Sequence, residues 1–171
     1  MRPTVSPLPS RVQGLSSRPR IEAMRIHVAT DHAGLELSAT VRAHLAAQGH
    51  EVVDHGPVEY DALDDYPSFC INAARAVARD QAAGVEALGV VFGGSGNGEQ
   101  IAANKVQGIR AALVWSEATA SLAREHNDAN VIAVGARQHP VDEVLRLIDV
   151  FVATQFPGEE RHARRIAQLA E

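Results

Sequence analysis

At 171 residues the chain is long enough for one domain with a sizeable core. Hydrophobic residues make up 46% and charged residues 22%, the balance of a soluble globular protein. The net charge is −5 with no basic face in the pattern, which argues against a nucleic-acid partner; no apolar run approaches the ~20 residues of a membrane span; and the single cysteine, Cys70, leaves no internal disulfide, as fits a reducing cytoplasm.

Residues 1–23 differ from the rest. The first twenty hold four prolines, four arginines and no acid, so residues 1–23 are expected to be a disordered tail ahead of one domain over 24–171. An Arg- and Ser-rich leader without acids could be an organelle transit peptide. It lacks an amphipathic helical pattern, and a nonfunctional extension before Met24 is the reading preferred.

From Met24 onward, strands and helices alternate. Arg25 to Thr30 reads as a strand, Asp31 to Gly34 as the turn leaving it, and Leu35 to Gln48 as a helix stopped by Gly49. A short strand, Glu51 to Asp54, precedes an acidic loop, Gly56 to Asp65. Pro67 near the first turn opens a helix from Tyr66 to about Arg79. Leu88 to Phe92 reads as a buried strand and Gln100 to Lys105 as a short helix. Arg110 to Val114 is a strand, Ser116 a helix N-cap, and His126 to Asn130 a polar loop after a helix ending near Glu125. Val131 to Val134 is a fifth strand. Helices follow from Pro140 or Val141 to Thr154 and from Gly158 to Leu169. The pattern predicts an α/β, three-layer, Rossmann-like fold: a five-stranded parallel sheet with helices on both faces. Ligands bind such sheets at the carboxyl ends of the strands.

One stretch organises the chain. Gly93-Gly94-Ser95-Gly96-Asn97-Gly98-Glu99 places four glycines in six residues at a strand-to-helix turn. Glycine lets the backbone take positive φ and lie against a ligand, and the N–H groups of such a turn favour an anion. The spacing from Gly93 to Gly98 matches a P-loop, but Glu99-Gln100 stands where Lys-Ser or Lys-Thr is needed. The dinucleotide pattern fails too, because Glu99 takes its last glycine position. A carboxylate beside an anion hole is a poor phosphate binder and a good proton acceptor. A nucleotide- or flavin-binding module is therefore disfavoured.

Other candidates gather by topology. Asp31 and His32 follow the first strand, and Arg137 follows the fifth. Arg161 and Arg165 are four apart on the last helix, so they share a face that suits a phosphate, or equally a solvated basic helix end. His126 lies in a polar loop among Asn127, Asp128 and Asn130, after a helix that returns the chain to the opposite edge of the sheet; a neighbouring subunit would then bring it to the glycine loop. Cys70, between Phe69 and Ile71, reads as core. The eight histidines show no metal-ligand spacing, so no metal is assigned.

Together, Asp31-His32-Ala33-Gly34, Asp65-Tyr66-Pro67, Gly93 to Lys105, Arg124-Glu125-His126-Asn127, Gly135-Ala136-Arg137 and Arg161-His162 with Arg165 resemble the type B ribose-5-phosphate isomerases, in the wider family with galactose-6-phosphate isomerase. The resemblance covers Met24 to Glu171. It implies a homodimer, sometimes a tetramer, that interconverts ribose 5-phosphate and ribulose 5-phosphate through a cis-enediolate, without metal or organic cofactor. One branch of the family uses a cysteine as base at the position that is Gly93 here; the other, seen in actinobacterial enzymes, uses a glutamate at the position of Glu99. This chain resembles the glutamate branch. The resemblance further implies that His126 opens the sugar ring and Asn127 binds nearby sugar oxygens. Gly94, Ser95, Gly96, Asn97 and Gly98 would cradle the enediolate, Asp31 and His32 would contact substrate, and Arg137, Arg161 and Arg165 would hold the phosphate. The same chemistry on a tetrulose phosphate, allose 6-phosphate or galactose 6-phosphate is the alternative.

Overall fold

The computed structural model describes residues 22–169; the tail expected over 1–23 lies almost wholly outside them. Five strands form one parallel sheet: β1 (Arg25–Ala29), β2 (Glu51–Asp54), β3 (Ala87–Gly93), β4 (Ala111–Leu113) and β5 (Val131–Gly135), in the order β2-β1-β3-β5-β4. The helices are α1 (Leu35–Ala47), α2 (Tyr66–Ala82), α3 (Asn97–Ala103), α4 (Glu117–Asn127), α5 (Val141–Ala153) and α6 (Glu160–Gln168).

Alternation along the strands builds two cores, one on each face. Ile26, Val28, Val90, Phe92, Ile132 and Val134 face α1, α4 and α5, which contribute Leu45, Ala120, Leu147, Ile148 and Phe151. Ala29, Val91, Val131 and Ala133 face the other way, against Cys70, Ala74 and Val77 of α2 and Ala102 and Ala103 of α3. The second core is built mostly of alanine and valine, so α2 and α3 lie close to the sheet there.

The order of strands decides where a ligand can sit. From β1 the chain crosses to β2 on one side; from β3 it crosses to β4 on the other. Neighbouring strands whose connections leave in opposite directions open a crevice at their carboxyl ends. Asp31 and His32 follow β1, and the glycine turn follows β3, so both flank that crevice.

The elements match the pattern read from sequence, with two local differences. α3 begins at Asn97 rather than Gln100, because Gly96 takes the left-handed conformation (φ 80°) and serves as its N-cap. α4 runs through His126 and Asn127, expected in a loop. It ends at Asp128 (φ 43°), whose N–H donates back to the Arg124 carbonyl and whose carboxylate receives the Arg124 guanidinium at 2.7 Å. Its start is as expected: Ser116 accepts from the Thr119 N–H at 3.2 Å while the Thr119 hydroxyl accepts from the Ser116 N–H at 3.1 Å.

Candidate active site

The early start of α3 puts Glu99 in the first helical turn rather than in a loop. Gly96 permits this turn: a Cβ there would meet Leu113 Cδ1 at 2.8 Å and the Val134 carbonyl carbon at 3.0 Å. The Ser95 hydroxyl accepts from the Asn97 N–H at 3.3 Å, and the Ala136 N–H donates to the Gly93 carbonyl at 2.7 Å. These contacts tie the turn to the carboxyl end of β5.

Glu99 is buried, 4% exposed. Its carboxylate lies flush against the Cα of Gly93, in the space a side chain at residue 93 would fill. Burial pushes the Glu99 carboxyl above the usual carboxylate value, and the nearby Asp31 carboxylate adds to this, against the pull of the Glu99 backbone N–H. A carboxylate held this way binds a proton more readily than a solvated one, as a general base requires. Asp31 is also buried; its Oδ1 accepts from the Ala33 N–H at 2.9 Å and so caps the turn after β1. The Tyr66 hydroxyl closes the other side, packed against Gly98.

His32 stands at the rim. Its Nδ1 lies 2.6 Å from Asp64 Oδ1, and its N–H donates to the same oxygen at 3.2 Å. The Tyr60 ring meets the imidazole edge-on, centroids 5.9 Å apart. Asp31, His32 and Asp64 each offer a ligand atom within 4.8 Å of the others, the one such grouping among the described residues. Sequence spacing cannot show it, because Asp64 is more than thirty residues from the other two. Arg137 completes this end of the sheet: its N–H donates to the Gly94 carbonyl at 3.3 Å, and its guanidinium reaches over Gly94.

The remaining candidates sit elsewhere. His126 and Asn127 close α4 at the amino ends of β4 and β5, where the Arg110 Nε donates to the Asn127 carbonyl at 2.8 Å. The His126 ring stacks on His162 of α6, centroids 4.3 Å apart and 14° from parallel, so Arg161 and Arg165 belong to the same end. The length of the sheet, on the order of 20 Å for the seven residues of β3, lies between this group and Glu99. One chain thus carries these two groups of residues at opposite ends of its strands. Asp64, Tyr66 and His162 join them although no periodicity singles them out; Tyr66 and His162 lie within the quoted motifs, and Asp64 stands beside one.

Residues 26–169 match the model of the Ribose/Galactose Isomerase family. The chain belongs to that family. Among its relatives in the ribose/galactose isomerase family, ribose-5-phosphate isomerase B of Mycolicibacterium paratuberculosis is 53% identical over 148 residues, covering 86% of this chain and 91% of the relative. That of Escherichia coli is 36% identical over 145 residues, covering 85% and 93%. The solved structure of ribose-5-phosphate isomerase B from Mycoplasma genitalium with bound ribulose-5-phosphate superposes with a TM-score of 0.81 at 41% identity, covering 86% of this chain and 94% of that one. The type B enzyme of Trypanosoma brucei gives 0.80 at 36% identity, covering 87% and 98%.

Proposed function

We propose that the chain interconverts D-ribose 5-phosphate and D-ribulose 5-phosphate, a step of the pentose phosphate pathway, and that it does so in the cytoplasm as a homodimer or tetramer with shared sites. The observation that carries the reading is the buried Glu99 carboxylate against Gly93, at the mouth of the β1–β3 crevice. An aldose–ketose isomerisation needs a base at that kind of position, donors for a developing oxyanion, and a grip on a remote phosphate.

In this reading Glu99 takes the proton from C2 of the open-chain aldose. The C2–H electron pair becomes the C1–C2 double bond, and the carbonyl electrons move onto O1 to give a cis-enediolate. The backbone of Gly94, Ser95, Gly96, Asn97 and Gly98 receives that negative charge. Return of the proton to C1, with the O2 proton passing to O1 as the C2 carbonyl forms, yields the ketose. Asp31 and His32 hold sugar oxygens, and Arg137 holds the phosphate from the same chain. His126, which opens the ring, and Asn127, Arg161 and Arg165 come from a second copy. Their position a sheet-length from Glu99 supports that division. The chemistry draws on no metal and no organic cofactor.

The test is an activity panel of C4, C5 and C6 sugar phosphates with purified protein. The highest kcat/KM is expected on ribose 5-phosphate. A clear preference for a tetrulose phosphate, allose 6-phosphate or galactose 6-phosphate would keep the chemistry and reassign the substrate. Ultraviolet absorbance from co-purified nucleotide, with no isomerase activity, would favour a binding module instead.

A further inference from the structure

We propose that Asp64 is a positioning residue: it fixes the tautomer and aim of His32, so that the ring presents Nε2 as a hydrogen-bond acceptor to a hydroxyl of the sugar phosphate. The kinetic part of this proposal rests on the isomerase reading above; the tautomer does not.

The geometry is specific. The Asp64 side chain is 8% exposed, although it comes from a loop whose Val58 and Leu63 are 93% and 88% exposed. Its Oδ1 takes two contacts from one residue, the His32 N–H at 3.2 Å and His32 Nδ1 at 2.6 Å. An ionised carboxylate only accepts, so the proton between them sits on Nδ1. In a neutral imidazole that leaves Nε2, on the other side of the ring, with its lone pair free. Nε2 makes no hydrogen bond among the described residues, and a quarter of the His32 side chain is exposed. Tyr60 fixes the ring plane from its edge.

The loop is built to hold this contact. The Asp64 N–H donates to the Asp61 carbonyl at 3.1 Å, and the Leu63 N–H to Asp61 Oδ1 at 2.9 Å. Two residues on, Tyr66 begins α2 with its hydroxyl against Gly98. The loop thus clasps the site at Asp64 and at Tyr66 while its middle stays in solvent. Asp64 Oδ2 is buried with no hydrogen-bond partner. An unsatisfied buried carboxylate oxygen costs stability, and such costs persist where a site rather than the fold dictates the residue.

The experiment is a double-mutant cycle of Asp64→Ala and His32→Ala, read as kcat and KM on ribose 5-phosphate, with nitrogen-15 histidine spectra of each protein. Asp64→Ala is expected to lower kcat/KM by about tenfold, the size of one charge-assisted hydrogen bond. In the His32→Ala background the same change should have little further effect, because its target is gone. Additive losses would mean that Asp64 acts on the loop and not through His32, overturning the proposal. The spectra should show His32 protonated at Nδ1 in the parent chain and a tautomer mixture in Asp64→Ala; an Nε2–H tautomer in the parent, or an unchanged one in the variant, would overturn it without any assay. Should Asp64→Ala fail to fold, Asp64→Asn serves. The His32 N–H holds its amide oxygen at the Oδ1 position, where it still accepts from Nδ1–H, so Asp64→Asn should keep its Tm and the Nδ1–H tautomer and lose only the charge-assisted part of kcat/KM; a tautomer mixture in Asp64→Asn would refute the claim that an acceptor here dictates the tautomer.

Discussion

The Glu99 carboxylate occupies the position a side chain on Gly93 would take, with Oε2 2.6 Å from where its Cβ would stand. A separation of six residues in sequence disappears in space, because β3 ends at Gly93 and α3 turns Glu99 back over it. A cysteine at 93 and a glutamate at 99 would deliver their reactive atoms to one place and exclude each other sterically. That relation gives a physical reason why a chain that resembles the glutamate branch carries glycine at 93.

Gly93→Ala is therefore expected to displace Glu99 and cost isomerisation on the scale of losing the base, about 10²–10⁴-fold in kcat. Activity within a factor of a few of the parent would show that the carboxylate can move aside without penalty. The added Cβ meets first the far end of the Glu99 side chain, not backbone, so the kinetic loss is the diagnostic readout.

Glu99→Gln should abolish both turnover and exchange of the C2 proton with deuterated solvent, since both use the same abstraction. It should also raise the Tm at neutral pH. The sign follows from the raised carboxyl pKa: the folded state favours the protonated form, so the stability Glu99 contributes is full below its ordinary value near 4.5 and is lost as pH rises through the folded value. Gln avoids that loss. The difference in Tm between the two proteins should close toward pH 4, and a lower Tm for Glu99→Gln at pH 7 would contradict it.

Cys70→Ser should leave kcat nearly unchanged. Cys70 is fully buried against the alanine-rich core, and burial pushes its thiol up, away from the thiolate that a nucleophile requires. Burying a hydroxyl there should lower the Tm. A dead but folded Cys70→Ser protein would overturn the assignment of Glu99.

Mixing subunits tests the two half-sites. Glu99→Gln and Arg161→Ala/Arg165→Ala proteins should each be inactive, and mixed dimers should recover part of the activity because one composite site then has all its groups. No recovery after demonstrated subunit exchange would place the whole site within one chain.

Acid should destabilise the fold through β1. His27 is buried, its Nδ1 2.8 Å from His55 Nε2 and its Nε2 3.0 Å from Asp80 Oδ2, while the Arg25 guanidinium also reaches Asp80 at 2.9 Å. Burial lowers the pKa of both histidines, against the pull of Asp80 on His27. Depressed histidines give stability that is full above about 6.5 and lost as pH falls through their folded values. Asp80, lowered chiefly by Arg25, holds its share until pH falls below about 3.8. The Tm should begin to fall below pH 6.5, and His27→Gln should flatten that limb. A Tm constant from pH 7 to pH 5 would refute it.

Much of this was legible in residue order. Apolar runs bounded by turn residues specified five strands and their helices, since burial on both faces of a parallel sheet demands such runs. Four glycines before a glutamate marked the candidate base, because the failed phosphate patterns left proton transfer as the chemistry a carboxylate could do there. Arg137 was legible as the charged residue just past the last strand. Tertiary structure alone decided the rest. Strand order, and with it the crevice between β1 and β3, depends on which helices cover which face, a matter of packing that local pattern does not encode. The contact of Glu99 with Gly93 depends on a left-handed Gly96 backed by Leu113 and Val134, which come from other strands and their ends. The pairing of His32 with Asp64 joins residues 32 apart, and the stack of His126 on His162 joins residues 36 apart; both arise because the fold closes loops whose sequence separation carries no signal of proximity.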